Sequence, residues 1–223
     1  MYYNLTRTAR RTAAINIRNG VVYVRAPFFM PRRVIDQFVM EKAPWIKKNL
    51  TKQIVETENK EAFALDYGSF LTLRGKTYPV LPREDKYAEF DEGAFYMPPG
   101  LPPEQLKTLC IRLYIILAQM HITKRVHFYA LRMKAEPKAI KINSATKRWG
   151  SCSSLGNLNF SWRLIMADDE VIDYVVVHEL AHLIEMNHSP RFWAVIRRII
   201  PDYEECKEKL KQLQSRLDNE DWE

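Results

Sequence analysis

Residues 178–188 of this 223-residue chain read His178-Glu179-Leu180-Ala181-His182-Leu183-Ile184-Glu185-Met186-Asn187-His188. Two histidines four positions apart lie on one face of a helix, with Cβ atoms roughly 5–6 Å apart. Both imidazoles can therefore reach one metal ion at about 2.0–2.1 Å, the usual zinc–nitrogen distance. Glu179 lies about 100° around the helix from His178. We expect it to take a proton from a metal-activated water rather than to bind the metal.

A third histidine, His188, follows at a spacing that a continuous helix cannot use. Six steps of about 100° place it about 120° away from His182 around the helix, so the helix is expected to end first. Asn187 tolerates the left-handed conformation that ends helices, and Ser189-Pro190 is typical of an N-cap and the first residue of another helix. His188 would then lie between two helices and turn back to the metal. Three protein ligands and a vacant fourth position are typical of a catalytic zinc.

The third ligand has an alternative in the sequence. A glutamate on a later helix can serve instead, and Glu204, Glu205 and Glu208 are available. We favour His188 because it belongs to the same local segment, whereas those glutamates must be aimed by tertiary packing. The remaining readings are a chance pattern on an amphipathic helix and a site that has lost its metal.

The residues before the motif predict the helix start and a neighbouring strand. Residues 168–170 are all acidic and supply an N-cap and an acidic first turn, which predicts a motif helix of about 18 residues. Residues 157–162 alternate polar and apolar side chains, as a half-exposed strand does. At a sheet edge this strand could add an extended peptide, with Asn157 and Asn159 as candidate substrate-binding residues. An ordinary internal strand is the alternative.

Further segments carry a resemblance to a known family. They are Arg148-Trp149-Gly150-Ser151-Cys152-Ser153, Gly156-Asn157-Leu158-Asn159, Trp162-Arg163-Leu164, Val175-Val176-Val177-His178-Glu179-Leu180-Ala181-His182 and Asn187-His188-Ser189-Pro190-Arg191-Phe192-Trp193. Together they resemble the YgjP-like metallopeptidase family, closely over about residues 140–205. The amino-terminal part is similar more loosely, through Val24-Arg25-Ala26-Pro27 and Lys42-Ala43-Pro44-Trp45-Ile46.

The resemblance implies a reaction class but no target. The family belongs with the zincins, near the SprT and WLM groups, and implies zinc (Zn2+) held by His178, His182 and His188, with Glu179 as general base. Its substrates are poorly defined. The spacing also matches metzincins, but Glu185 stands where they have glycine and no Met-turn is evident, which argues against that group.

Composition favours a globular intracellular enzyme. The chain is 47% hydrophobic, enough for a sizeable core at this length. Three scattered cysteines, Cys110, Cys152 and Cys206, argue against a disulfide framework and fit a reducing compartment. The amino terminus lacks the apolar segment that a signal peptide requires. Residues 109–120 are apolar, but this stretch is too short to span a bilayer and is interrupted by Arg112. A cytoplasmic location with no membrane partner is therefore expected.

The element pattern predicts an α+β fold in two parts. Residues 13–26 form a hairpin around Asn19-Gly20, a type I′ turn signal, and residues 63–80 and 86–97 repeat the alternation. Residues 1–98 are expected to form a small strand-rich lobe with a helical insertion at about 31–58. Residues 103–223 are expected to form a helical zincin-like catalytic domain with a short mixed sheet, and a proline cluster at 98–103 marks the boundary.

A long helix at about 103–130 is predicted to open the second part, with further elements at 139–146 (a strand) and 201–217 (a helix). The expected packed face of the long helix consists of Leu106, Leu109, Leu113, Ile116, Leu117 and Met120. His121 and His127 lie near its far end and are expected to be satisfied or solvent-facing rather than ligands.

Positive charge is concentrated at the amino terminus. Residues 1–60 hold 12 Lys and Arg against 4 Asp and Glu, a net charge of +8, whereas the whole chain carries +7. Such a basic lobe could meet nucleic acid or an acidic partner. A solvated face that keeps the protein soluble explains the charge equally simply, and we prefer it because no recognised nucleic-acid fold accompanies the charge.

The function predicted from the sequence is hydrolysis of peptide bonds in a peptide or protein substrate. Glu179 is the predicted catalytic base. Arg148 is a candidate substrate-binding or charge-stabilising residue because it lies near the predicted edge strand, and a surface salt bridge is the alternative role for it. Two alternatives stay open: a metal-dependent amidase acting on a small molecule, and a proteolytically silent adaptor that binds nucleic acid.

Overall fold

The computed structural model describes residues 2–91 and 93–223 and divides into two compact units. The amino-terminal unit runs to Phe63 and includes Asp218–Asp221. The second unit comprises Ala64–Leu217 and Trp222–Glu223. Strands and helices are mixed in both units, so the predicted α+β class is confirmed.

Three strands form the sheet of the amino-terminal unit: β1 (Asn4–Thr8), β2 (Ala14–Arg18) and β3 (Val21–Pro27), in the order β1-β3-β2. β2 and β3 form the predicted hairpin, with Ile17 opposite Val22. Asn19 and Gly20 have φ angles of 48° and 71°, which the type I′ turn requires at both positions. β1, which the sequence analysis missed, pairs parallel with β3.

Two helices follow, as predicted: α1 (Arg32–Glu41) and α2 (Ala43–Ala62). Both helices contribute to one apolar core with the sheet. Alternate strand residues face inward and pack with Ile35, Val39 and Ile46 of the helices. The other face of this sheet is therefore left to solvent.

A separate sheet follows in the second unit. Its strands are β4 (Phe70–Leu73), β5 (Lys76–Pro82), β6 (Glu89–Phe90) and β7 (Phe95–Met97), in the order β4-β5-β7-β6. These strands were expected to belong to the lobe at 1–98. The compact units instead divide between Phe63 and Ala64, because β4 and β7 pack against helical elements of the second unit.

The long helix α3 (Pro103–Met133) crosses the second unit. Its buried positions include Leu106 and Leu113, as predicted, but Ile116 is 55% exposed and Met120 is 68% exposed. The packed face is rotated because the ring of Tyr114, fully buried against Trp162, takes the core side. Among the described residues, α3 alone is long and apolar enough by composition to cross a bilayer, with 39% of its apolar window buried.

A second small sheet lies beside the motif helix. It consists of β8 (Ala139–Asn143), β9 (Gly150–Cys152) and β10 (Asn157–Ser161), in the order β8-β10-β9. β10 pairs parallel with β8 and antiparallel with β9. The strand predicted at 157–162 is therefore internal, and the idea that it offers a free edge is wrong. β9 is the edge strand on that side.

Helices complete the second unit. A short 3-10 helix at Trp162–Met166 leads into α4 (Asp169–Ala181), α5 (Pro190–Ile199) and α6 (Tyr203–Leu217). α4 packs against α3, and an ionic contact joins them. Arg125 on α3 donates to both carboxylate oxygens of Asp173 on α4 at 2.5 and 2.6 Å, and the Tyr129 hydroxyl donates to the same carboxylate at 2.9 Å. Bidentate geometry of this kind holds two helices in one register.

Candidate metal centre

α4, a nearly fully buried helix, carries His178 and Glu179, and His182 is the C-cap residue directly after it. Asp168 is at its N-cap position with acidic residues in the first turn, as predicted. The helix ends at Ala181, however, earlier than the 18-residue prediction. Asn187 is not among the residues with positive φ, so the predicted left-handed stop there is wrong.

The helix ends early because the chain tightens directly after the second histidine. The amides of Leu183 and Ile184 donate to the carbonyls of Leu180 and Ala181, each three residues back, at 3.0 Å. His182 keeps helical φ and ψ as the C-cap residue. The loop then has room to bring His188 back, and α5 begins as predicted, with the Ser189 hydroxyl accepting from the Phe192 amide.

The three histidines come together. One ligand atom from each of His178, His182 and His188 lies within 4.8 Å of the other two. The Nε2 atoms of His178 and His188 are 3.1 Å apart. His182 Nδ1 lies 3.1 Å from the Met186 carbonyl, which accepts a hydrogen bond from Nδ1–H in the tautomer that leaves the Nε2 lone pair free for a metal.

The electrostatics of this cluster fit a cation. Burial lowers the pKa of His178 to about 4, and the neighbouring imidazoles act in the same direction. Burial and His188 also lower the pKa of His182. Neutral imidazole is the form that binds metals, and the Nε2 atoms of His178 and His188, 3.1 Å apart, need a proton or a cation between them. The donor set of three imidazole nitrogens suits zinc.

An aromatic wall supports the exposed histidine. His188 stacks on Trp193 of α5, with ring centroids 5.7 Å apart and planes inclined by 27°. Trp193 stacks in turn on Tyr203 at 5.3 Å and 20°. The fully buried Phe192 contacts all three histidine rings at 4.6–5.0 Å. The third histidine is therefore oriented by ring packing rather than by a helix.

Glu179 lies beside the cluster and is almost inaccessible to water. Glu179 is only 5% exposed, and burial raises the pKa of its carboxyl to about 7. The charge of Arg148 acts to lower that pKa. A carboxylate with its pKa raised in this way is a stronger base than an exposed one, which suits proton transfer near neutral pH. Arg148, the predicted charge-stabilising residue, is thus placed within electrostatic range of Glu179.

Gly150 of β9 makes room for that carboxylate. A Cβ atom at this position would lie 2.5 Å from Glu179 Oε1 and 2.7 Å from Cγ. These distances are too short for any real contact, so a side chain here would displace Glu179. The sequence analysis missed this role, although Gly150 stood in the segment that carried the family resemblance. Trp193 was missed in the same way.

The other predicted residues are placed less directly. Asn157 and Asn159 lie half-buried on the internal strand β10, and the Asn159 amide points to the Ser151 hydroxyl at 3.5 Å. Cys152 is a half-buried thiol whose pKa is raised by burial and by the charge of Glu179. His121 lies 3.1 Å from Asp169, away from the histidine cluster.

The alternative glutamate ligands point elsewhere. Glu204 bonds to Lys207 at 2.8 Å and Glu208 to Lys211 at 2.5 Å. Both glutamates are 64% exposed. Neither they nor Glu205 belong to the cluster of possible ligands found among the described residues.

Three comparisons with known proteins address the class of the chain. The family described as "YgjP-like, metallopeptidase domain" matches residues 11–213. A comparison with curated proteins finds no match. Among solved structures, the crystal structure of the metallopeptidase zymogen of Pyrococcus abyssi abylysin is similar to part of this chain. The likeness covers 44% of this chain and 97% of that chain, with 19% sequence identity and a TM-score of 0.38.

A histidine cluster beside a buried carboxylic acid is typical of a metal-dependent hydrolase. The family match spans most of the chain, and the chain therefore belongs to the YgjP-like metallopeptidase family. Membership implies a metal ion.

We predict that Gly150→Ala abolishes most peptidase activity while leaving metal affinity nearly unchanged, because the three atoms nearest to the new methyl group all belong to Glu179, which it displaces. Metal titration and a peptide-cleavage assay on the same preparation separate the two effects. Ser151→Ala on the same strand is the control and should behave as the unaltered protein. Full activity in Gly150→Ala would contradict the assigned contact.

We predict that Trp193→Leu weakens metal binding by about 10- to 100-fold, the range found for outer partners of metal ligands. Leucine cannot stack on the His188 ring, whereas Trp193→Phe retains a flat ring and should restore most of the affinity. Competition for the metal against a chromophoric chelator measures this. Equal affinities for the leucine and phenylalanine variants would show that stacking does not orient His188.

Proposed function

We propose that this chain is a zinc-dependent metallopeptidase that hydrolyses peptide bonds, with His178, His182 and His188 holding zinc and Glu179 acting as general base. The observation that carries the proposal is the convergence of three imidazoles beside a carboxyl with a pKa raised to about 7. Zinc at this position would supply Lewis acidity, making a water molecule more acidic and polarising a carbonyl.

The chain's own residues supply the proton transfers. Glu179 takes a proton from the attacking water and later delivers it to the leaving amine. Its burial stabilises the protonated form that exists between these two steps. Arg148 is exposed at the end of the loop before β9 and brings positive charge towards the reacting carbonyl oxygen, where negative charge develops.

The edge strand β9 supports a peptide as substrate. A peptide added to its free side would lie about 4.8 Å from β9, and Gly150 on this strand is in contact range of Glu179. Main-chain hydrogen bonds to an edge strand bind extended peptides with little dependence on sequence. β9 thus replaces the strand at 157–162 as the proposed substrate platform. A small-molecule amidase would have no use for such an edge.

The metal content and its ligands are tested together. Purified protein without a tag should contain one zinc per chain and lose activity with a chelator. His188→Ala should lower zinc affinity by more than about 100-fold, since even outer partners of metal ligands contribute roughly 10–100-fold. Glu204→Ala, Glu205→Ala and Glu208→Ala are matched controls that should retain it. Collapse of affinity in one glutamate variant, with His188→Ala near normal, would overturn the three-histidine assignment.

The chemical role of Glu179 is tested separately from metal binding. Glu179→Gln keeps the size of the side chain but cannot accept the proton, so hydrolysis should fall by about 10²–10⁴-fold with zinc retained. Cleavage of unstructured protein substrates and zinc content are measured on one sample. Unchanged turnover would remove Glu179 from the mechanism. Zinc binding without cleavage of any peptide by the unaltered protein would favour the amidase or the silent adaptor.

A further inference from the structure

Among the described residues of its unit, no helix or further strand covers one face of the amino-terminal sheet. Residues that alternate with the buried core positions point to this side, and we call them the outer sheet face. They are Asn4, Thr6, Asn16, Arg18, Val21, Tyr23 and Arg25, all exposed. The helices α1 and α2 pack on the opposite face.

The register of the strands places these side chains in rows. Tyr23 is central, with Asn4 of β1 on one side and Asn16 of β2 on the other. Arg25 lies two positions along the same strand, beside Thr6. Directly opposed side chains on one face of a sheet lie about 4.5–5.5 Å apart. One aromatic ring is therefore flanked by two amides and, along the strand, by a guanidinium.

The charge on this part of the chain has a single sign. Residues 2–35 contain seven arginines, no lysine, and no aspartate or glutamate. Within residues 2–63 the acidic side chains begin at Asp36, in the helices, where Asp36 pairs with Arg32 and Glu56 with Lys52. Among the described residues, no ion pair involves Arg18 or Arg25. Their charge is therefore available to a partner.

The use of arginine rather than lysine and the exposed aromatic rings limit the class of partner that this face can bind. Arginine binds phosphate through a planar fork and stacks on flat rings, which lysine does not do. Phe28 and Phe29 directly follow β3 and are 68% and 75% exposed, and Tyr23 on β3 is 36% exposed. Exposed aromatic rings can stack on flat rings of a partner, and arginines without an ion pair can bind its negative charges. A polyanion that also offers flat rings fits both features. Duplexes hide their base faces, so a single strand is required.

We propose that the outer sheet face binds single-stranded RNA, with a base stacked on Tyr23 and phosphates held by Arg18 and Arg25. The amides of Asn4 and Asn16 and the Thr6 hydroxyl lie where they can bond to base edges and to 2′-hydroxyl groups, the feature that separates RNA from DNA. Sheets that present aromatic rings and basic side chains on an open face recognise single strands in this way. The binding does not depend on the metal site.

Fluorescence anisotropy of a labelled oligouridylate of about 12 nucleotides, titrated with the full-length protein, tests the proposal. Tyr23→Thr keeps a strand-forming residue and should weaken binding by about 5- to 100-fold through loss of one stacked base. Its salt dependence should stay unchanged because no charge is removed. Arg25→Gln should weaken binding and reduce the slope of log affinity against log salt by about 0.7, the value for one phosphate of a single strand.

The matched control is Arg33→Gln, which makes the same charge change at an exposed position of α1, and it should leave affinity unchanged. Equal losses in Arg25→Gln and Arg33→Gln, with none in Tyr23→Thr, would overturn the proposal in favour of diffuse charge attraction. So would absence of binding at low salt, binding of oligothymidylate as tight as that of oligouridylate, or equally tight binding of polyglutamate, which would indicate an acidic protein partner. Glu179→Gln should bind RNA normally, so this outcome is independent of the peptidase.

Discussion

Two ring nitrogens, Nε2 of His178 and of His188, face each other at 3.1 Å, and burial keeps His178 neutral. Two lone pairs at that distance repel unless a proton or a cation lies between them. Holding them there needs rigid support from both sides. His178 is held by a buried helix that packs on α3, and His188 by the stacked rings of Trp193 and Tyr203. Much of the packing in the second unit therefore holds the His178 and His188 rings close together.

The same buried setting that suits the imidazoles changes the acid beside them. Water is nearly excluded from Glu179, so its charged form is less favoured and its pKa rises to about 7. The side chain fits there only because Gly150 has no Cβ. A short edge strand thus has two consequences: its glycine admits the carboxyl group, and its unpaired side offers hydrogen bonds to an extended chain. The proximity of these two features links the proposed chemistry to the proposed substrate.

The predictions from sequence succeeded where the determining contacts were local. The hairpin at Asn19-Gly20 depends on φ angles that those two residue types adopt readily, and Ser189 caps α5 through an amide three residues away. They failed where tertiary packing determined the local structure. The buried face of α3 is rotated because Tyr114 takes the core side, and α4 ends before Asn187 because its last carbonyls bond three residues ahead. The place of residues 157–161 between two other strands has no local signal, since both edge and internal strands can alternate.

The sequence by itself determined the reaction class and the set of metal-binding candidates, because a spacing of four residues on a helix fixes which side chains share a face. It also determined the uneven charge of the amino-terminal part. The sequence favoured His188 over a glutamate of α6 as the third ligand, but only the tertiary structure brings its ring to the other two. Only the tertiary structure decided that β9 is the edge strand beside Glu179 and that Arg18 and Arg25 share one open face with Tyr23. These relations join residues far apart in the chain, and their geometry is set by sheet order and helix packing, which no local pattern encodes.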